Sequence, residues 1–191
     1  GWSEYRRSTD GGLTWSPPSP FEYSKRMREG TEMCSALVYS VVTAPNGTLV
    51  ATVIHYKNEK WEKQRAPAYF LSKDQGQTWQ GPRAFDESAT VQDIAYTMDT
   101  SFVHAGEIFI VFRGGDSNMT PGGPQTLWVS SDNGESFRQR SVLPFDHASY
   151  YWAAGALDHG EIIVYTYNAH LKKEDPAAEQ NIPYTISRDG G

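Results

Sequence analysis

Arg113 ends an apolar run, Glu107–Phe112, and is followed by Gly114-Gly115-Asp116. A guanidinium held at such an exit presents a planar fork of N–H donors that fits a carboxylate through two parallel hydrogen bonds. The plainer reading of the same residue is a strand-end charge, solvated or paired with Asp116. Two carboxylates sit at comparable places. Asp99 opens the run Asp99–Val103, and Glu32 lies in Gly30-Thr31-Glu32-Met33, just ahead of the run Ala36–Thr43. A carboxyl group within reach of a reacting bond can give or take a proton. An Asp at a strand start equally serves a turn, by accepting bonds from nearby backbone N–H groups. The triplet Tyr150-Tyr151-Trp152 offers flat rings and two phenolic hydroxyls for ligand contact, or simply packing between sheets. Arg26 and Arg28 belong to a charged run, Lys25–Glu29, that reads as a solvated loop.

Other chemistries are poorly served. Five His residues lack ligand spacing and the single cysteine, Cys34, can form neither an internal disulfide nor a thiolate cluster, so no metal site is expected. There is no Gly-rich phosphate loop and no Gly-x-Ser-x-Gly elbow, and no cofactor is expected. Lys and Arg total 17 against 23 Asp and Glu, a net charge of −6. This balance argues against a nucleic-acid partner, which selects a basic face. No apolar run approaches the ~18 residues that a membrane span needs. Aromatic residues make up 13% of the 191-residue chain, far from the composition of a disordered one. Asn46-Gly47-Thr48 and Asn118-Met119-Thr120 fit the glycosylation sequon, a pattern common by chance.

The elements that must position these groups are set by a repeat. Ser8-Thr9-Asp10-Gly11-Gly12-Leu13-Thr14-Trp15 returns as Ser72-Lys73-Asp74-Gln75-Gly76-Gln77-Thr78-Trp79, then as Ser130-Ser131-Asp132-Asn133-Gly134-Glu135-Ser136-Phe137, and begins again at Ser187-Arg188-Asp189-Gly190-Gly191. Asp10, Asp74, Asp132 and Asp189 stand 64, 58 and 57 residues apart. Each copy follows a short apolar run. Its Asp suits a turn, its Gly supplies positive φ, and its Trp or Phe opens the next strand with a ring to pack beneath the hairpin. The four aspartates therefore read as structural. Between copies the plan is strand, turn, strand: Ala36–Thr43 and Thr48–Tyr56 about Pro45-Asn46-Gly47, Asp99–Val103 and Glu107–Arg113 about His104-Ala105-Gly106, Ala153–Leu157 and Glu161–Tyr167 about Asp158-His159-Gly160. Each unit of ~60 residues holds four short strands, the content of one propeller blade. The spacing predicts an all-β protein of four-stranded antiparallel blades.

The repeat resembles the Asp-box, or bacterial neuraminidase repeat, and the chain is similar to the sialidase-like superfamily of six-bladed β-propellers over nearly its whole length. The resemblance implies a single domain over 1–191: a partial blade over 1–30, blades over about 31–87 and 88–145, and a partial blade over about 146–191, about half of a six-bladed ring. The chain opens without Met and stops inside the fourth box. The expectation is a piece of a chain about twice as long, or a half-ring closed by a second copy. The resemblance further implies an exo-glycoside hydrolase of the exo-α-sialidase type acting on an acidic sugar. A non-catalytic propeller that binds glycan or protein is the alternative. It also implies export or display at the cell surface.

Sialidases hold the substrate carboxylate with arginines, attack with a Tyr activated by Glu, and use an Asp as acid and base. Gly106-Glu107-Ile108-Phe109-Ile110-Val111-Phe112-Arg113 matches the family's inner strand Gly-x-Leu-Leu-x-x-x-Arg, which makes Arg113 the carboxylate ligand by resemblance. The family's acidic residue would fall near Thr97, and the nearest carboxylate is Asp99. Met33 stands where the family's first arginine would be. Asp99 or Glu32 is the candidate acid or base, Tyr150 or Tyr151 the candidate nucleophile, and Trp152 a candidate sugar platform.

Overall fold

The computed structural model describes residues 4–21, 25–28, 31–34, 36–56, 65–85, 99–112, 125–143, 151–157, 159–167 and 184–188. Among them every regular element is a strand: β1 (Glu4–Tyr5), β2 (Ser19–Pro20), β3 (Lys25–Arg28), β4 (Thr31–Cys34), β5 (Ala36–Thr43), β6 (Leu49–Tyr56), β7 (Arg65–Ser72), β8 (Gln80–Ala84), β9 (Asp99–His104), β10 (Glu107–Phe112), β11 (Thr126–Ser130), β12 (Arg138–Val142), β13 (Tyr151–Ala156), β14 (Ile162–Tyr167) and β15 (Tyr184–Ser187). All pairings are antiparallel and follow chain order. They give four-stranded sheets β5–β8 and β9–β12, a three-stranded sheet β13–β15, and two-stranded pairs β1–β2 and β3–β4. The last pair corrects the sequence reading. Lys25–Arg28 is a strand with Arg26 opposite Met33 and Arg28 opposite Thr31, not a loop. A charge count alone hides such a hairpin, because strand pairing is made by backbone hydrogen bonds that charged residues supply as well as apolar ones.

Strand composition follows depth in each sheet. The middle strands β10 and β11 read Glu-Ile-Phe-Ile-Val-Phe and Thr-Leu-Trp-Val-Ser and are buried almost throughout, whereas β8 and β12 are largely exposed and carry Arg83, Arg138 and Arg140. Charged outer strands discourage further edge pairing. Period-two alternation divides each middle strand between two cores. Ile108, Ile110 and Phe112 join Val50, Tyr69, Leu71 and Phe85 between sheets β5–β8 and β9–β12. Phe109 and Val111, from the other side of β10, join Leu127, Leu143, Ile162 and Val164 between β9–β12 and β13–β15. Ala51, Val53, Ala68 and Phe70 face Phe21, beyond β2. Each fully buried side chain of this size stabilises the fold by ~1.5–3 kcal/mol. The sheets thus stack face on face. Their first strands adjoin, β5 against β9 and β9 against β13, and the Ser40 and Ser101 hydroxyls hydrogen-bond across the first of these seams. This is a β-propeller arrangement, with β5, β9 and β13 nearest the axis.

The tight turns obey the same chemistry. Ala105 and Gly106 both take positive φ in the two-residue turn between His104 and Glu107. Gly47 and Gly160 close three-residue turns in which Ala44 and Leu157 N–H groups donate to the Thr48 and Glu161 carbonyls.

The boxes do more than turn the chain. They wedge neighbouring sheets together. Phe137, at the end of the third box, packs against Tyr69 and Phe85 of the preceding sheet, at ring-centroid distances of 5.0 and 5.2 Å. Trp79 packs back in the same way on Phe21 and Tyr5. Trp15, which the sequence reading also places beneath its hairpin, is instead 59% exposed. Its box lies on the first pair, β1–β2, and no described residue supplies a sheet before it. Glu135 extends the grip with polar contacts. Its carboxylate accepts from Lys73 Nζ and Arg83 Nη1, each at 2.7 Å, and its carbonyl accepts from Tyr69 Oη at 3.2 Å. The hydrogen bonds from Lys73 and Arg83 hold the Glu135 carboxyl below its usual range.

Gly134 and Gly12 have nearly equal φ, +90° and +91°. A Cβ on Gly134 would lie 2.7 Å from Val50 Cγ2 and 3.1 Å from Leu71 Cδ2, in the preceding sheet, while one on Gly12 would meet only Trp15, at 3.8 Å. Both Gly→Ala changes carry a left-handed backbone cost of ~1–2 kcal/mol. Gly134→Ala adds an overpacking cost of ~1–3 kcal/mol. Urea unfolding is expected to rank Gly134→Ala clearly below Gly12→Ala, and equal losses would exclude the wedge.

Candidate functional site

Antiparallel strands in chain order sort all connections between two ends. The turns after β5, β9 and β13 share one end with the boxes after β7 and β11. The connections β6–β7, β10–β11 and β14–β15, and those leading from one sheet to the next, share the other. Of the residues singled out in the sequence, Asp99, Tyr151 and Trp152 fall at this second end. Asp99 is the first residue of β9 and pairs with Phe112, the last of β10; Arg113 follows Phe112 in the chain and lies outside the described residues. Tyr151 is the first residue of β13, opposite Tyr167, and Trp152 is the second, opposite Thr166. Tyr150 precedes them and also lies outside the described residues. Glu32 pairs with Met27 in the hairpin that leads into β5. Because β5, β9 and β13 adjoin, the ends at Asp99 and Tyr151 are neighbours close to the axis.

Sequence reasoning passed over Arg65. It is the first residue of β7, opposite Tyr56, and so falls at the same end as Asp99. A cation opening the apolar strand Arg65–Ser72 was the available signal. It mirrors Arg113, which follows an apolar strand in the chain. His55 and Tyr56, the last two residues of β6, share this end with it.

The box aspartates stand apart from this group, and their surroundings unfit them for proton transfer. Asp74 accepts from Ser72 Oγ at 2.8 Å, from the Gln77 and Thr78 N–H groups at 3.0 and 2.9 Å, and from Thr78 Oγ1 at 2.5 Å. Asp10 and Asp132 repeat the pattern with Ser8 and Thr14, and with Ser130 and Ser136. The serine hydroxyl that donates to each Asp accepts in turn from the box glycine: Gly12, Gly76 or Gly134. Every fixed polar or glycine position of the repeat is thereby used, and the aromatic is left for packing. The residue before that glycine is also left-handed: Gly11 at +73°, Gln75 at +59°, Asn133 at +61°. The sequence reading assigned positive φ only to the later glycine. Asn133 also accepts a hydrogen bond from the Asn46 N–H, linking the box to a turn of the preceding sheet.

The donors to each carboxylate depress its pKa. Thr78, Ser72 and the local N–H groups bring Asp74 from 3.8 down to about 2, and Thr14 and Ser8 hold Asp10 lower still. Burial pushes Asp132 up, but the hydrogen bonds from Ser136 and Ser130 outweigh it and the net shift is down. Asp189 lies outside the described residues. Among the described residues no three His, Cys, Asp or Glu side chains converge on a common point, and no helix is long and apolar enough to cross a membrane.

The model of the BNR repeat-like domain matches residues 1–190. The chain belongs to this family. The BNR repeat-like chain is also similar in structure to a protein of unknown function from Dyadobacter fermentans DSM 18053, with a TM-score of 0.71 at 16% identity, covering 100% of this chain and 56% of that one. It is similar to the GH93 alpha-L-arabinofuranosidase of Fusarium graminearum, solved with arabinobiose, with a TM-score of 0.57 at 18% identity, covering 98% and 55%. The alpha-L-arabinanase of Penicillium chrysogenum, also complexed with arabinobiose, gives a TM-score of 0.52 at 18% identity, covering 96% and 54%. The chain therefore spans about half the length of the solved structures it matches. At these identities the likeness establishes the propeller fold. No curated protein matches the sequence.

A carboxyl with a folded pKa below its unfolded value adds stability above the unfolded value, and loses that contribution as pH falls through the folded one. For Asp74 the window runs from about 3.8 down to about 2. Stability followed by circular dichroism is expected to show an acid limb in this window, and Asp74→Asn is expected to flatten it while lowering stability at neutral pH. An unchanged limb in Asp74→Asn would remove the box carboxylate from the acid transition.

Proposed function

We propose that the complete protein is an exo-glycoside hydrolase that binds its sugar at the axis end of the sheets, where the chain brings Asp99 and Tyr151 and leads into Arg113. The observation that supports this reading is that Asp99 and Tyr151 open adjoining strands at the end opposite the boxes. Arg113 donates two hydrogen bonds to the carboxylate of an acidic sugar of the sialic acid type. Tyr150 or Tyr151 attacks the anomeric carbon and gives its phenolic proton to one of the carboxylates Asp99 and Glu32, while the other protonates the departing glycosidic oxygen; that second carboxyl then takes a proton from the incoming water, which displaces the tyrosine oxygen and leaves it to recover its own proton. Trp152 supplies a ring against the sugar face. The remainder of the ring comes from the rest of the same polypeptide.

A second reading, a neutral pentoside as substrate, is favoured by the structural likeness to two enzymes solved with arabinobiose. Met33, standing where a sialidase-like arginine is expected, supports it. A propeller that binds glycan without cleaving it is the remaining alternative.

The full-length protein assayed on a fluorogenic sialoside and on arabinobiose separates these readings. Turnover of the sialoside is expected, with kcat/KM about ten- to a hundredfold lower in Arg113→Ala, the loss of a charge-assisted hydrogen bond. Cleavage of arabinobiose alone would replace the acidic-sugar reading with the pentoside one. Glycan binding without turnover of either would leave a lectin-like propeller.

A further inference from the structure

The three strands nearest the axis are not built alike. β9 and β13 pair with β10 and β14 residue for residue, whereas β5 carries one extra residue against β6: Val38 stands opposite Val53 and Ser40 opposite Thr52, with Tyr39 between them. The other two bulges among the described strands belong to the repeat. They fall at Tyr69 in β7 and Leu127 in β11, 58 residues apart, the step that separates Asp74 from Asp132. The bulge at Tyr39 has no counterpart in β9 or β13, so the plan of the sheets does not require it.

An extra residue breaks the two-residue alternation and re-aims the side chains around it, a device that recurs beside active sites. Val38 and Ser40 would otherwise share a face. Instead Val38 packs on the core that holds Phe21 and Val53, while the Ser40 hydroxyl turns the other way to Ser101, and Val42 joins the core of Ile108 and Phe112. Tyr39 falls between these two faces. It is half-buried, on a strand whose one described sheet partner, β6, lies on the side away from the axis. The Ser40–Ser101 bond also fixes its height. β5 and β9 start at the same end and run the same way, so Tyr39 stands one residue, and Asp99 two residues, from that bond toward the end where Tyr151 also lies. At ~3.3 Å per strand residue, Tyr39 and Asp99 are nearly level on adjoining strands.

We infer that Tyr39 is a sugar-contacting residue of this end, its ring set against the sugar and its hydroxyl bonded to one of the sugar's hydroxyl groups beside Asp99. A phenol suits the task, because its flat apolar body covers C–H groups while its hydroxyl both donates and accepts. The inference rests on the glycan-binding reading of this end, and it applies to an acidic sugar and a neutral one alike.

Isothermal titration of the full-length protein with free sialic acid and with arabinobiose tests it. Whichever sugar binds is expected to bind Tyr39→Phe about three- to tenfold more weakly, the loss of one neutral hydrogen bond. Among monodeoxy forms of that sugar, one is expected to bind wild type and variant equally, since it lacks the hydroxyl that the variant can no longer bond. A merely structural tyrosine produces no such match. Equal affinity of both proteins for the parent sugar, or the same loss against every deoxy form, would overturn the inference and leave the glycan reading standing. A full-length protein that binds neither sugar would overturn both.

Discussion

A sheet that is apolar on both faces cannot stand alone, and this constraint shapes everything else in the molecule. β10 sends Ile108, Ile110 and Phe112 one way and Phe109 and Val111 the other, so the sheet built on it needs a partner on each side. Stacking is the only arrangement that satisfies every sheet, and twist turns a stack of small sheets about an axis. The polar edges at β8 and β12 follow from the same geometry, because the outermost strand of each of these sheets has no neighbour on one side and faces water.

The boxes convert that tendency into a defined spacing. Their inward hydrogen bonds make a rigid hairpin, and their outward ring and glycine grip the sheet before. The grip is directional. Phe137 and Trp79 both reach backward in the chain, so each unit is completed by its successor. Trp15 shows the reverse case, a formed box whose ring has no preceding sheet among the described residues and lies open to solvent.

Much of this was legible in the residues. Ser, Asp, Gly and Thr at fixed offsets announced hairpins because each side chain has one bonding task there, and β-branched runs between Gly-containing turns announced the strands. The hairpin β3–β4 was not legible, since its two strands carry Lys, Arg and Glu with no alternation to betray them. The left-handed Gln75 was hidden too, because glutamine does not advertise that conformation. Chemistry was legible only as location. Strand order puts Asp99, Tyr151 and Arg65 at one end, and the connections around them carry no repeat.

Those connections differ in a telling way. The intervals between β6 and β7, β10 and β11, and β14 and β15 are 8, 13 and 16 residues, while the box hairpins between β7 and β8 and between β11 and β12 are both 7. One rim is held to a fixed gauge by the wedges, and the other is released from it. Insertions and exchanges on the released rim leave the box wedges of the other rim in place, so new specificities can be sampled there with little penalty to that packing.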